Sequence, residues 1–308
     1  MKNKLAEELK VCLDSRLVNS GDYFVPIKGE NFDGHKFIDD AIKAGAAGII
    51  EEEELYKLAS EKLSRINPIV IAVTGSVGKS TMCSFISTIL LEKHNVCVGK
   101  LNTKLGLAVN IMNDLKDNDY FFVAEAGMDK AGELTETGKF LNPDAVVITN
   151  ISESHMEKLG SLDEIKKAKS EILKTVISGG TVYLNWDCSN IRDIVSEVPN
   201  EVTLITYGLL GDAKFDKSSA DLLLSVEEDG YETFDEIPFS FIGKHNYLNA
   251  LGAFAVVDEF GINVVNILNG MKKLKTPNGR LKLIDGIFGS IIVDDTYNSS
   301  PASLIGAI

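Results

Sequence analysis

A chain of 308 residues, 44% hydrophobic and 25% charged, has apolar material for a sizeable core and length for two or more domains. Its formal net charge of −14 gives no electrostatic footprint for a phosphodiester backbone, which calls for clustered lysine and arginine, so no nucleic-acid partner is expected. The four cysteines, Cys12, Cys83, Cys97 and Cys188, form no CxxC pair, which disfavours a zinc site or disulfide framework and suits a cytoplasmic protein, while a charged N-terminus and the lack of an uncharged apolar run of about 18 residues argue against export and a membrane span.

Residues 1–67 read as a small α/β domain. A short strand is expected over 22–27, a loop over 29–34 and a helix over 35–44 on apolar Phe37, Ile38, Ala41 and Ile42. Gly45 ends that helix and a second strand follows over 46–50. The acidic run 51–54 reads as solvated, with a helix after it to about Arg65. Asn67-Pro68 marks a domain boundary, because the residue before proline is biased away from helix.

From Ile69 the pattern changes to apolar strands alternating with helices: strands over 69–73, 120–124, 145–149, 181–184 and 202–207, with a helix over 79–93 after the first. Continuous apolar strands with helical crossovers argue for a parallel sheet covered on both faces. The stretch 221–241 alternates around Glu227-Glu-Asp-Gly230 as an antiparallel excursion. A central domain is thus expected over 68–284. A last strand is expected over 290–295, followed by a helix start at Asn298-Ser-Ser-Pro301. Without a sheet partner such a unit cannot bury its apolar face, so 285–308 is read as the truncated start of a third, Rossmann-like domain.

The strongest motif follows the first strand of the central domain. A Walker A loop, Gly-x-x-x-x-Gly-Lys-Ser/Thr, wraps backbone N–H groups around phosphate oxygens at a helix N-terminus. Here Gly78, Lys79 and Ser80 fit, but Val73 stands at the first glycine position, leaving the shorter Thr74-Gly75-Ser76-Val77-Gly78-Lys79-Ser80-Thr81. Lys79 is expected to reach the outer phosphates and Ser80 to bind Mg²⁺. The alternative is a glycine-rich turn with an incidental Lys-Ser pair.

This shortened loop resembles that of the Mur ligase family, ATP-dependent enzymes that add amino acids to the peptide stem of the cell-wall precursor. The resemblance continues along nearly the whole chain. Leu13-Asp-Ser-Arg-Leu-Val18, Gly21-Asp-Tyr-Phe-Val-Pro-Ile-Lys-Gly29 and Phe32-Asp-Gly-His-Lys-Phe37 are similar to the family's domain for the uridine diphosphate end of the substrate. Phe122-Val-Ala-Glu-Ala-Gly-Met128, Ile148-Thr-Asn-Ile-Ser-Glu-Ser-His155, Leu159-Gly-Ser-Leu162 and Ala168-Lys-Ser-Glu-Ile172 are similar to its ATPase domain. Gly243-Lys-His-Asn-Tyr-Leu-Asn249 and Gly279-Arg280 follow in family order. Asp294-Asp-Thr-Tyr-Asn-Ser-Ser-Pro-Ala-Ser303 looks like the hinge motif of the members that add a D-alanyl-D-alanine dipeptide. That implies UDP-N-acetylmuramoyl-tripeptide, D-Ala-D-Ala and ATP as reactants, Mg²⁺ as cofactor, and a monomer.

By resemblance, Lys79, Lys169 and His155 are catalytic, and Ser80, Glu125, His155 and a carbamylated Lys169 bind metal. Thr74 to Thr81, with Asn246, Asn249, Arg280 and Asp295, hold ATP. Ser15, Arg16, Lys28, Asp33, Gly34, His35 and Asn102 meet the muramoyl substrate. Bland readings stand beside these: a surface carboxylate at a strand end for Glu125, a capping or packed histidine for His155, a solvated lysine in the charged helix 163–174 for Lys169, and helix capping for Asn246. Asp294, Tyr297 and Asn298 are equally consistent with turn chemistry. Thr103 and Lys104 depart from the family's Asn-Asn-acidic segment, which puts the detailed contact of Asn102 in doubt. The missing third domain implies that the 308 residues alone are inactive. The alternatives are a family ligase with another acceptor, or a shortened relative that binds nucleotide or UDP-sugar without catalysis.

Overall fold

The computed structural model describes residues 9–29, 31–154, 156–208, 221–228, 231–239, 241–298 and 304. The N-terminal unit holds β1 (Val11–Cys12), β2 (Tyr23–Phe24), α1 (Ile38–Ala44), β3 (Gly48–Ile49) and α2 (Glu52–Ile66). Its strands are shorter than their sequence pattern implies and form a parallel sheet in the order β1-β2-β3. A 3-10 turn over Gly34–Phe37 precedes α1, and the Gly45 N–H closes that helix on the carbonyls of Ala41 and Ile42. The acidic run is solvated as expected, with Glu51, Glu53 and Glu54 exposed, but it belongs to the helix rather than preceding it. Glu52, Glu53 and Glu54 make the first turn of α2, where negative charge complements the partial positive charge of a helix start. Asn67, left-handed at φ 51°, ends α2 in front of Pro68.

The next elements are β4 (Ile69–Thr74), α3 (Lys79–Leu90), β5 (Val96–Val98), α4 (Lys104–Asn113), β6 (Phe121–Glu125), α5 (Glu133–Leu141) and β7 (Ala145–Ile148). They continue through α6 (Met156–Leu159), α7 (Leu162–Ser170), β8 (Thr181–Asn185), α8 (Ser189–Arg192) and β9 (Thr203–Tyr207). The six strands pair in parallel in the order β5-β6-β4-β7-β8-β9. Strand β5, absent from the sequence reading, is a short edge strand whose apolar content is too small to stand out.

Alternation along each strand divides the core in two, as a period of two residues requires. Val70, Ala72, Phe122, Ala124, Val146, Ile148, Val182 and Leu184 face one side, under α2, α4, α5 and α7. Ile71, Val73, Phe121, Val123, Ala145, Val147 and Tyr183 face the other. That second face is covered by α3 and by α9 (Lys244–Asp258) and α10 (Val264–Met271). The N-terminal unit contributes Val11, Val25 and Ile50 to the first face, together with Leu55, Ala59 and Leu63 of α2. Asn113 at the end of α4 holds β1 against it, accepting from Val11 N and donating to Val11 O, both at 2.8 Å.

Strands β10 (Asp221–Glu228) and β11 (Tyr231–Pro238) make the expected antiparallel hairpin. The strand expected near the end is β13 (Ile291–Asp294), and it does have a partner: it pairs antiparallel with β12 (Lys282–Asp285), from Lys282↔Asp294 to Asp285↔Ile291. The sequence reading missed that partner because the segment 282–285 carries only two apolar residues between charged ones. Most of the expected terminal helix lies outside the described residues. Among the described residues no helix is long and apolar enough to cross a membrane.

In the large sheet the chain moves from central β4 first to β5 and β6 on one side and then to β7, β8 and β9 on the other. The carboxyl end of β4 is therefore a topological switch point, where open α/β sheets form their ligand crevice. The glycine loop leaves the sheet there.

Candidate active site

The loop between β4 and α3 is fixed from the strand beside it. Gly75 sits at φ +146°, and a Cβ there would lie 2.1 Å from Thr149 Oγ1. That hydroxyl donates to Val77 O at 2.6 Å, Ser76 N donates to Asn150 O at 2.9 Å, and Val77 N donates to Asn150 Oδ1 at 2.8 Å. Ser76 Oγ donates to Ser152 O and accepts from Ser152 N, both at 3.0 Å, and Ser154 Oγ lies 2.9 Å from it. Behind this, Asn185 Nδ2 donates to Thr149 O at 2.8 Å. The loop is thus clamped on the segment after β7, which leaves its helix end facing outward.

The first helical bond of α3 runs from Met82 N to Gly78 O at 2.8 Å. The N–H groups of Lys79, Ser80 and Thr81 consequently have no acceptor within the helix, and they converge with the helix dipole on one spot suited to an anion. Around that spot the structure gathers Lys79, Ser80, Glu125, Lys169 and Arg280. Ser80 Oγ donates to Glu125 Oε2 at 2.6 Å and accepts from Arg280 Nη2 at 3.3 Å, while Asn102 Nδ2 donates to Glu125 Oε1 at 3.3 Å. Lys79 Nζ donates to Gly75 O at 3.1 Å.

The cations outnumber the carboxylate, and their protonation shows it. Burial lowers the Lys79 pKa, with Glu125 opposing and Arg280 adding to the fall. Lys169, only 2% exposed, is pushed down to about 7 by burial and then by the charge of Lys79. It is no solvated lysine: α7 presents it with Ile165 and Ala168 on its buried face, while Lys167 and Lys174 stay exposed and Lys166 pairs with Asp193 at 2.7 Å. A buried lysine beside two half-buried cations with so little counter-charge is an environment completed by a polyanion.

From the covering side, α9 brings Asn246 and Asn249, both buried, toward the loop. The Asn249 amide lies 3.1 Å from where a Gly78 Cβ would stand. Asn246 does not cap the helix, whose N-cap is Gly243 with no side-chain bond; its Nδ2 donates to Ile242 O at 2.7 Å, which leaves its carbonyl oxygen for other work. Asp295 Oδ1 accepts from Leu281 N at 3.2 Å, beside Arg280. His155 lies outside the described residues.

The residues expected to meet the uridine diphosphate lie in the N-terminal unit in two local sets, one around Asp14 and Arg16 and one around Asp33 and His35. Asp14 and Arg16 pair at 2.6 Å, with the guanidinium hydrogen bond holding the Asp14 carboxyl down at about 2. Asp33 caps the 3-10 turn at His35 N, and its Oδ1 lies 2.8 Å from His35 Nδ1. Glu51 Oε2 lies 3.2 Å from His35 Nε2, so two carboxylates, Asp33 first, raise the imidazole pKa. Lys28 bridges to Asp33 through the backbone, Gly34 packs on Ile27, and Ser15 is half-buried between Asp14 and Arg16. Exposed Phe32 and Phe37 stack at 5.5 Å beside them. Arg16, Lys28 and His35 supply positive charge, and the stacked rings supply a flat apolar surface.

The residue set fits a nucleotide with a divalent cation. Thr74 Oγ1 and Ser152 Oγ are buried at the loop without a hydrogen-bond partner. The Ser80 hydroxyl and Glu125 carboxylate are a pair of hard oxygen donors of the kind Mg²⁺ takes alongside phosphate oxygens and water. Among the described residues no group of three or more His, Cys, Asp or Glu could hold a metal alone. Sequence reasoning missed Thr149, Asn150, Ser152 and Asn185, although the first three lie within a segment it singled out. Thr149 and Asn150 bond the loop backbone, Ser152 bonds the Ser76 hydroxyl through its own backbone and Asn185 supports Thr149 O, roles which residue type alone does not announce.

A parallel sheet with a phosphate-type loop at its switch point and cations around a Ser-Glu pair defines an ATP-type nucleotide-binding α/β protein. The chain belongs to the Mur ligase family: residues 73–257 match the Mur ligase middle domain and residues 10–77 the Mur ligase family, catalytic domain. It is 33% identical over 323 residues to the UDP-N-acetylmuramoyl-tripeptide–D-alanyl-D-alanine ligase of Bacillus subtilis, an alignment covering 97% of this chain and 69% of that protein. The Escherichia coli protein of the same name is 28% identical over 324 residues, covering 97% and 70%. Among solved structures, MurF from Acinetobacter baumannii superposes with a TM-score of 0.85 at 26% identity, covering 96% of this chain and 69% of that one. MurF ligase from Thermotoga maritima in complex with ADP gives 0.83 at 29% identity, covering 98% and 74%.

Proposed function

We propose that this chain serves an ATP-dependent C–N ligase of peptidoglycan precursor synthesis, which joins D-Ala-D-Ala to UDP-N-acetylmuramoyl-tripeptide. The observation that carries this reading is the shortened phosphate loop with its ring of cations, in a chain whose relatives of that name match it over nearly its full length. The ADP complex of a structural neighbour supports the nucleotide reading.

In the reaction the terminal carboxylate of the tripeptide attacks the γ-phosphorus of ATP, forming an acyl phosphate and releasing ADP. The amine of D-Ala-D-Ala then attacks the acyl carbon, inorganic phosphate leaves and the amine gives up its proton. Both steps crowd anions together, so catalysis rests on orientation and charge neutralisation. The N–H groups of the α3 N-terminus and the Lys79 ammonium hold the phosphates. Arg280 approaches the same phosphates over Ser80, and Asn246, Asn249 and Asp295 take the nucleoside end. Glu125 and Ser80, with His155, are the residues to hold Mg²⁺, which supplies neutralisation of phosphate charge when bound.

Lys169 has a chemical role open to it that an exposed lysine lacks. With its pKa lowered to about 7, much of it is neutral amine at physiological pH and able to add CO₂, losing a proton to give an anionic carbamate. That modification turns an unfavourable buried cation into a counter-charge for Lys79 and a metal ligand. The N-terminal group Ser15, Arg16, Lys28, Asp33, Gly34 and His35 takes the uridine diphosphate, with Asn102 on the muramoyl side. On this reading the chain divides into a UDP-sugar unit over 1–67, an ATP-binding unit over 68–284 and the start of a third unit over 285–308, and it works as a cytoplasmic monomer.

Phosphate release from ATP by the intact protein, with each substrate omitted in turn, tests the proposal. Release that needs both UDP-N-acetylmuramoyl-tripeptide and D-Ala-D-Ala is the expected outcome. Release driven equally by a free L-amino acid favours a family ligase with another acceptor, and nucleotide binding without release favours a binding relative.

A further inference from the structure

Arg280 is the one residue of the phosphate site that arrives from outside the sheet and its covering helices, on the strand-free segment before β12. Two things place it there. The segment is tied by its backbone to the end of β13 and the chain just after it: Tyr297 N donates to Gly279 O at 3.1 Å, Gly279 N donates to Asp294 Oδ2 at 3.1 Å and Leu281 N donates to Asp295 Oδ1 at 3.2 Å. The approach is close enough that a Cβ on Gly279 would lie 2.9 Å from Tyr297 N, at a glycine with φ +70°. The guanidinium of Arg280 then lies over the Tyr297 ring at 4.0 Å from its centroid, while its Nη2 donates to Ser80 Oγ at 3.3 Å.

We infer that Tyr297 is a positioning residue that holds the Arg280 guanidinium against the phosphate loop, so that the segment after β13 sets the charge presented to the outer phosphates. This rests on the nucleotide-binding reading above. Tyr297 is 66% exposed, so it is not held by a core, and the Arg280 guanidinium lies over its ring. The stack uses the planar, weakly hydrated guanidinium face while leaving its N–H edge free for Ser80 and a phosphate, an arrangement a lysine cannot reproduce. Tyr297 itself touches no reacting atom in this scheme.

The test is calorimetric binding of the ATP analogue AMP-PNP with Mg²⁺ to the 308-residue chain, comparing wild type with Y297L, Y297F, R280A and the double variant Y297L/R280A. A cation–π contact of this exposure predicts about 2- to 5-fold weaker binding in Y297L. Y297F keeps the ring and should stay within about 2-fold of wild type, and Y297L should add nothing in the R280A background. Unchanged binding in Y297L, a loss in Y297F equal to that in Y297L, or a Y297L loss that persists without Arg280 each overturns the inference while leaving the nucleotide site standing. Absence of any AMP-PNP binding by wild type overturns the nucleotide reading and this inference with it.

Discussion

Replacing Lys169 with methionine should stabilise the protein at neutral pH, and by an amount that depends on pH in a known direction. The side chain is 2% exposed, and its pKa falls from 10.5 to about 7 on folding, first through burial and then through Lys79. Between those two values the unfolded chain binds the proton and the folded chain does not, so stability rises with pH across the interval. The penalty is fully developed below about pH 7 and has vanished above the unfolded value near 10.5. At about 1.4 kcal/mol per unit, it amounts to about 4 kcal/mol at pH 7 and about 2 kcal/mol at pH 9. Methionine has a similar length and carries no charge, so its own packing difference is the same at both pH values. Urea unfolding in CO₂-free buffer, followed through the single tryptophan, Trp186, should therefore show the advantage of Lys169→Met over wild type shrinking by about 2 kcal/mol between pH 7 and pH 9. An advantage that is constant or grows with pH would refute the reasoning. Bicarbonate should then raise wild-type stability at neutral pH without affecting Lys169→Met, since only the amine can form a carbamate.

Three further outcomes follow from the geometry. Gly75→Ala places a Cβ 2.1 Å from the Thr149 hydroxyl at a φ of +146°, which combines backbone strain with a broken buried hydrogen bond; about 2–5 kcal/mol of stability should be lost in chemical denaturation, with nucleotide binding lost alongside. Asn113→Ala removes both bonds to Val11 and should cost about 1–3 kcal/mol, seen as faster proteolysis before residue 22 and weaker binding of a UDP-sugar, with AMP-PNP binding preserved. Ser80→Ala takes away a hydroxyl shared by Glu125 and Arg280 and should weaken Mg²⁺-nucleotide binding more than binding of the metal-free nucleotide; equal losses in calorimetry would contradict the Ser80 metal role.

Much of the architecture is written in local pattern. The runs 69–73, 121–124 and 145–148 are continuously apolar because both of their faces are covered, and the glycine loop advertises itself by residue type at fixed spacing. Lys169 shows the limit of that reading. By composition it stands in a charged helix, and only the tertiary packing of Ile165 and Ala168 against the sheet turns it inward. Strand β12 was hidden for the opposite reason: an exposed hairpin strand does not require an apolar run, and its pairing with β13 is a long-range fact. Thr149 and Asn150 hold the loop by side-chain bonds to its backbone, and Ser152 by its own backbone groups on Ser76 Oγ, uses that many residue types could serve and that spacing does not encode. The identity of the acceptor rested on a resemblance carried by the closing motif. Geometry could not supply it, because much of that motif lies beyond the described residues.

On the proposed function, the phosphate chemistry of this site is spent on joining D-Ala-D-Ala to a UDP-linked tripeptide. The most direct test is the D-Ala-D-Ala dependence of phosphate release by the intact protein, at saturating ATP and UDP-N-acetylmuramoyl-tripeptide. The expected result is release that rises with D-Ala-D-Ala and matches, mole for mole, a UDP-linked pentapeptide product. Release that is indifferent to D-Ala-D-Ala, or that leaves the tripeptide unextended, would contradict it.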